Sequence, residues 1–214
     1  YETLPAPSVV VGLLADGQPV NHAAEGGKVE VVLRETPFYA EMGGQMGDVG
    51  EIVGQGATLN VDDTQTPIAG LTVHLCTVIS GVIIKGDAVE ATVDPQRRQD
   101  TARNHTATHL LHAALRQVLG AHVRQAGSLV APDRLRFDFS HVEAMTDGEV
   151  ERVQLLVNER IRQNVGVHGS EDTYAAAVER GALAFFGDKY EATVRLGEIA
   201  NGVTFSFEVC GGTH

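Results

Sequence analysis

The sequence predicts an α+β chain: an N-terminal small antiparallel β-barrel over residues 1–94, then an α+β core over residues 95–214 with helices packed on an antiparallel sheet. Three observations lead there. Residues 1–94 carry short valine-rich runs punctuated by glycine turns such as Gly54-Gln55-Gly56, the pattern of short strands that close on themselves. Apolar spacing then changes to a helical period after Asp94-Pro95. Near the C-terminus, alternation returns after two further helical stretches.

The strand signals in the first part fall at residues 29–33, 48–53, 57–61, 71–79 and 88–93. The apolar cluster at residues 9–14 is far short of the ~20 residues that span a bilayer, and no secretory signal is visible. Asp94 reads as an N-cap with Pro95 at the first helical position, and Ala107, Leu110, Leu111, Ala114, Leu115 and Val118 continue at helical spacing to Gly120. A break between residues 100 and 105 is compatible with that spacing.

Leu135, Phe137 and Phe139 alternate with Arg136, Asp138 and Ser140, a half-buried strand. Thr146-Asp-Gly-Glu149 is a capping box opening a helix whose apolar stripe is Val150, Val153, Val157 and Ile161. A shorter helix covers about residues 172–180 and stops at Gly181. Strands follow near 192–196 and 203–209, the second presenting Val203, Phe205, Phe207 and Val209 on one face. There is no internal repeat and no low-complexity linker.

Two pairs of metal-ligand residues share one spacing: His105 with His109, and Cys210 with His214. Residues four apart on a helix lie on one face, so His105 and His109 can aim at one ion. His112, three residues further, is a competitor that could complete a three-histidine site instead. Gly211-Gly212 allows a tight turn that returns His214 beside Cys210. Three imidazoles and a thiolate favour zinc among the common metals. Of the two cysteines, Cys76 then has no partner; it is expected as a core filler in a reducing, cytoplasmic setting. His22, His74, His122 and His168 form no coherent set in the sequence.

Charge divides the chain. The net charge is −12, which argues against an autonomous RNA-binding protein, because sequence-independent affinity comes from neutralising phosphates. Residues 1–95 hold 3 Lys+Arg against 13 Asp+Glu, whereas residues 96–136 hold 7 Arg against 2 Asp. Nucleic-acid contact is therefore expected around the first histidine pair, with Arg97, Arg98 and Arg103 as candidates for guiding phosphates.

Four segments in order carry a family resemblance: Thr36-Pro-Phe-Tyr-Ala-Glu-Met-Gly-Gly-Gln45, Asn104 to Arg116 with its HTATHLLH core, Gly127-Ser-Leu-Val130 with Arg134 to His141, and Cys210-Gly-Gly-Thr-His214. Together they resemble the editing domain of alanyl-tRNA synthetase, from about residue 30 to the end. One position departs from that family's pattern: Met42 stands where a small polar residue is more usual. A start at Tyr1 without methionine and an end on His214 suit a fragment of a larger enzyme.

The resemblance implies hydrolysis of alanine tRNA mischarged with serine or glycine, with Zn2+ held by His105, His109, Cys210 and His214. A site that hydrogen-bonds the serine hydroxyl discriminates in the direction an alanine pocket cannot. Thr36 and Gln45 are the candidates for that readout, and Glu41 is the nearest carboxylate in sequence for a general base. Zinc could activate water and polarise the ester, or only position the substrate, since four protein ligands usually mark a closed site. The resemblance also implies a monomeric fragment of an enzyme that dimerises through more C-terminal regions. Two other readings compete: a free-standing editing protein acting in trans, and a zinc-stabilised tRNA-interaction module without catalysis.

Overall fold

The computed structural model describes residues 4–184 and 192–214. They form two compact units, one of residues Tyr1–Thr101 with Thr213, the other of residues Ala102–Gly212 with His214. No helix among the described residues is long and apolar enough to cross a membrane.

The first unit is built from β1 (Pro5–Ala15), β2 (Gln18–Pro19), β3 (His22–Ala24), β4 (Lys28–Leu33), β5 (Gly50–Gly54), β6 (Ala57–Ile68), β7 (Leu71–Ile84) and β8 (Ala88–Val93). Six of these pair antiparallel in the order β1-β4-β7-β6-β5-β8, and β8 pairs back onto β1. The expected barrel is therefore closed, which leaves no open sheet edge.

Closure depends on a strand absent from the sequence prediction. In β1, Pro5 to Val9 pair with β8 while Val10 to Leu14 pair with β4, with a bulge between Val10 and Gly12. Pro5 and Pro7 argue against a strand when read locally, and the apolar run starts only at Val9, the last residue that meets β8. Val10, Leu13, Val31, Ile52, Leu59 and Ile83 fill the interior. Cys76 sits there too, its thiol pushed up by burial and by the nearby charge of Asp62.

A loop between β4 and β5 is tied to Arg98, beyond the last barrel strand, by a buried ion pair. Asp48 receives the Tyr39 amide at 2.6 Å and the Nε and Nη2 of Arg98, and the same Nη2 donates to the Pro37 carbonyl at 2.9 Å. The Asp48 carbonyl in turn accepts the Thr64 hydroxyl at 2.9 Å. Gly47 is required here, because a Cβ would collide with the Thr64 carbonyl.

Helix α1 (Pro95–Leu119) starts as expected, with Asp94 accepting the Arg97 amide at 2.9 Å. It runs without the break that the sequence allowed. Thr101 and Thr108 turn their hydroxyls back onto the carbonyls of Arg97 and Asn104, which satisfies polar groups without leaving the helix. Gly120, at a φ of +119°, follows its end.

The second unit continues with β9 (Arg124–Val130), β10 (Leu135–Ser140), α2 (Asp147–Arg162), β11 (Gly166–Thr173), α3 (Tyr174–Glu179), β12 (Thr193–Ala200) and β13 (Thr204–Val209). β9 and β10 form a hairpin, and β11-β12-β13 form an antiparallel sheet. Ala114 and Leu115 of α1 pack with Val153 of α2, Phe137 of β10 and Phe205 of β13. A smaller core joins Ala177 of α3 to Val194 and Leu196 of β12.

Several local expectations are corrected. The capping box of α2 is present, but the buried face is Val153 with Leu156 and Val157, while Val150 and Ile161 lie about half exposed at 49% and 53%. α3 is shorter than expected because Asp172 and Thr173 end strand β11, with Thr173 as the N-cap. On β13 the alternation misleads: Ser206 and Glu208 are the buried residues, and Val203 is 79% exposed.

The Asp48–Arg98 pair yields a stability prediction. Arg98→Met should destabilise the protein by about 3–5 kcal/mol, the cost of stranding a buried charge. Adding Asp48→Asn should recover part of the loss. Urea unfolding of the three proteins checks both.

Candidate metal centre

In the second unit, α1 and the end of β13 bring four ligand-type side chains together. The ligand atoms of His105, His109, Cys210 and His214 all lie within 4.8 Å of one another. Helical spacing aligns the first two, whose rings stack at 5.1 Å. Each of the three imidazoles turns its Nε2 toward the Cys210 Sγ: His105 at 3.2 Å, His109 at 3.3 Å and His214 at 3.3 Å. Thr106 holds the Nδ1 side of His214 at 3.2 Å.

This set fits zinc. With Zn–S and Zn–N bonds of about 2.3 and 2.05 Å, tetrahedral ligands stand about 3.5 Å apart, N to S, a few tenths of an ångström more than seen here. The Cys210 thiol is also prepared as a ligand. Burial opposes its ionisation, yet the hydrogen bonds from His105, His109 and His214 outweigh burial and hold it well below its ordinary 9.0. Burial likewise opposes protonation of His109, but Cys210 and Glu208 raise it to about 10. His214 is shifted the other way by burial.

His112 does not join the cluster. Its Nδ1 meets Glu208 at 3.0 Å and its ring packs on Phe137. The sequence reading missed Glu208, which lies 3.0 Å from the Nδ1 of His109 and is 3% exposed. A signal was there: residues two apart on a strand share a face, so Glu208 accompanies Cys210.

In the first unit, Thr36 donates its hydroxyl to the Nε2 of His74 at 2.7 Å and accepts the Phe38 amide at 3.1 Å. The tautomer follows, because the Nδ1 of His74 faces the Val31 carbonyl at 2.9 Å, which can only accept. Thr36 thus has one acceptor lone pair beyond these contacts. His74, which the sequence left without a role, shares the interior face of β7 with Cys76 and Val78.

Gln45 is fully buried, and its side chain holds Thr213 twice: Nε2 donates to the Thr213 hydroxyl at 2.9 Å and Oε1 accepts its amide at 3.1 Å. It follows a two-residue turn in which Gly43 and Gly44 have φ of +62° and +87° and Met42 pairs with Gln45, a geometry that suits glycine at both positions. Met42 contributes its backbone; its side chain is 58% exposed. Glu41 is exposed and accepts from Gln65 at 2.8 Å.

The three candidate arginines separate. Arg98 is buried against Asp48, a placement that withholds it from phosphate. Arg97 is half-buried and Arg103 exposed, both on α1.

Comparison with known proteins gives two findings. Residues 1–97 match the family "tRNA synthetases class II (A)". The whole chain aligns with alanine–tRNA ligases: 48% identical to that of Chloroflexus aurantiacus, covering 25% of that protein, and 48% identical to those of Desulforamulus reducens and Anaeromyxobacter dehalogenans, covering 24% and 23%. The chain thus spans about a quarter of the length of these relatives.

His74 makes the first unit sensitive to acid. Burial holds it below its ordinary 6.5, so the unfolded chain binds more protons in the interval just beneath that value. Stability contributed by neutral His74 is complete above about pH 6.5 and declines as pH falls through the folded value, by at most about 1.4 kcal/mol per pH unit. Urea unfolding between about pH 7 and 5 should show this slope, and it should be shallower in His74→Gln.

Proposed function

We propose that this chain, which aligns along its whole length with alanine–tRNA ligases, is the part of such an enzyme that edits: it hydrolyses the aminoacyl ester of alanine tRNA wrongly charged with serine or glycine. The observation that carries the reading is the convergence of His105, His109, Cys210 and His214 on one point from segments about a hundred residues apart in sequence. An ester hydrolase gains from such a centre, and a passive core would not bury a thiolate among three imidazoles.

Zinc held by His105, His109, Cys210 and His214 would supply Lewis-acid polarisation of the ester carbonyl. The chain's own residues do the rest. Thr36, held in one rotamer by His74 and Phe38, offers its remaining lone pair to the hydroxyl of a serine moiety; alanine has no such donor. Gln45 acts by fixing Thr213, the residue before ligand His214; the hydroxyl readout expected of it would require exchanging those bonds. Glu41 is the carboxylate closest in sequence for handling a proton. Arg97 and Arg103 make weak, salt-sensitive contacts to the acceptor end of the tRNA. The setting is the reducing cytoplasm, where Cys210 stays reduced and forms no disulfide, and the chain alone is a monomer.

One observation favours a second reading. Four protein ligands fill a tetrahedral shell, the mark of a structural site, so the centre could stabilise a tRNA-interaction module without catalysis. The two readings part in a deacylation assay with serine-charged and alanine-charged alanine tRNA. Editing requires faster release of serine, whereas a purely structural zinc predicts no release of either.

Metal analysis should find one zinc per chain, and Cys210→Ala or His109→Ala should weaken it by more than about a hundredfold, beyond the loss typical of an outer-shell change. Full zinc content in both variants overturns the ligand assignment.

Thr36→Val should lower the serine-to-alanine deacylation ratio by roughly three- to tenfold, the worth of one neutral hydrogen bond. It should also cost about 1–3 kcal/mol of stability, because His74 and the Phe38 amide lose their partner. An unchanged ratio at unchanged zinc content places the discrimination elsewhere.

A further inference from the structure

Glu208 presents a physical puzzle. A carboxylate 3% exposed on a short strand is costly to desolvate, and an apolar residue there would extend the core. Three donors compensate it: His109 Nδ1 to Oε2 at 3.0 Å, His112 Nδ1 to Oε1 at 3.0 Å, and the Ser206 hydroxyl to Oε1 at 2.9 Å. The two histidines are three apart on α1, one above the other on its face, and the carboxylate bridges them.

We infer that Glu208 is the positioning residue of the metal centre, fixing the Nδ1 of His109 as the donor to its carboxylate so that Nε2 is the nitrogen aimed at the point shared with Cys210. Imidazole has two nitrogens, and the hydrogen bond made by one decides which is left to bind a metal. With Oε2 accepting from Nδ1, the Nε2 that stands 3.3 Å from the Cys210 Sγ is the one available. His112 and Ser206 keep the carboxylate from turning, since both hold Oε1 while Oε2 faces His109. Glu208 and Cys210 are two apart on one chain segment, so one strand delivers a ligand and the group that orients another ligand. Neither Glu208 nor His112 is itself a ligand.

This inference rests on the proposed metal centre, and the test keeps the two apart. Zinc affinity of the wild-type chain, Glu208→Gln, Glu208→Asp and Ser206→Ala is measured by competition with a chromophoric chelator, alongside the visible spectrum of each protein loaded with cobalt(II) and the urea stability of each metal-free protein. Glu208→Gln presents an amide where one histidine needs an acceptor. Its zinc affinity should fall about 10–100-fold, with altered cobalt bands. Glu208→Asp keeps the charge but not the reach, so it should also lose affinity, and it remains informative where Glu208→Gln does not fold. Ser206→Ala should lose least. Unchanged affinity and cobalt spectra in both Glu208 variants, with lower stability alone, would falsify the positioning role and leave the metal centre standing. A wild-type chain that takes up no zinc overturns both.

Discussion

The second unit is organised around the half-buried sulfur of Cys210. Cys210 draws three imidazole nitrogens to within 3.3 Å, and those contacts constrain the register of α1 against the end of β13. A thiolate in a protein interior is tolerable only with such partners, because desolvation otherwise drives it back to the neutral form. Glu208 repeats the argument one step away: burial opposes its charge, yet His109 and His112 hold its carboxyl well below the usual range. Two anions and the histidines around them form one network. Each anion is held by two or more of these histidines, which makes the arrangement stiff.

In the first unit, the loop from Thr36 to Asp48 has little regular structure but is not loosely held. Three anchors bind it: Thr36 to His74, the Tyr39 amide and Arg98 to Asp48, and the Glu41 amide to the Thr64 carbonyl at 2.9 Å. A loop with so little regular structure keeps one conformation only through such anchoring, since ordering each residue costs conformational entropy. The closed barrel supplies the rigid floor. Its strands expose no edge, and every anchor is a residue of β6, β7, the loop itself or the first turn of α1.

Charge and burial together sort residues that composition treats alike. Arg98 and Arg103 lie five positions apart on α1, yet the first is buried against Asp48 and the second faces solvent. Local net charge is the same for both. Only the partner across the fold separates the buried arginine from the exposed one.

Local physics carried much of this protein in its sequence. The Asp94 cap and helical spacing determined α1, the Thr146 capping box determined the start of α2, and the matched spacing of His105–His109 and Cys210–His214 singled out four side chains that the fold gathers. Each is a relation among residues within one or two turns, where geometry is short-ranged. The first strand escaped because two prolines mask its pairing and because half of it belongs to β8 and half to β4. The polar face of β13 was misassigned because alternation shows two faces but not which one meets α1. Glu208, His74 and Asp48 became legible only in three dimensions: their partners stand 96 or 99, 38, and 50 positions away, and the desolvation that gives a buried polar group its meaning exists only once distant segments have closed around it.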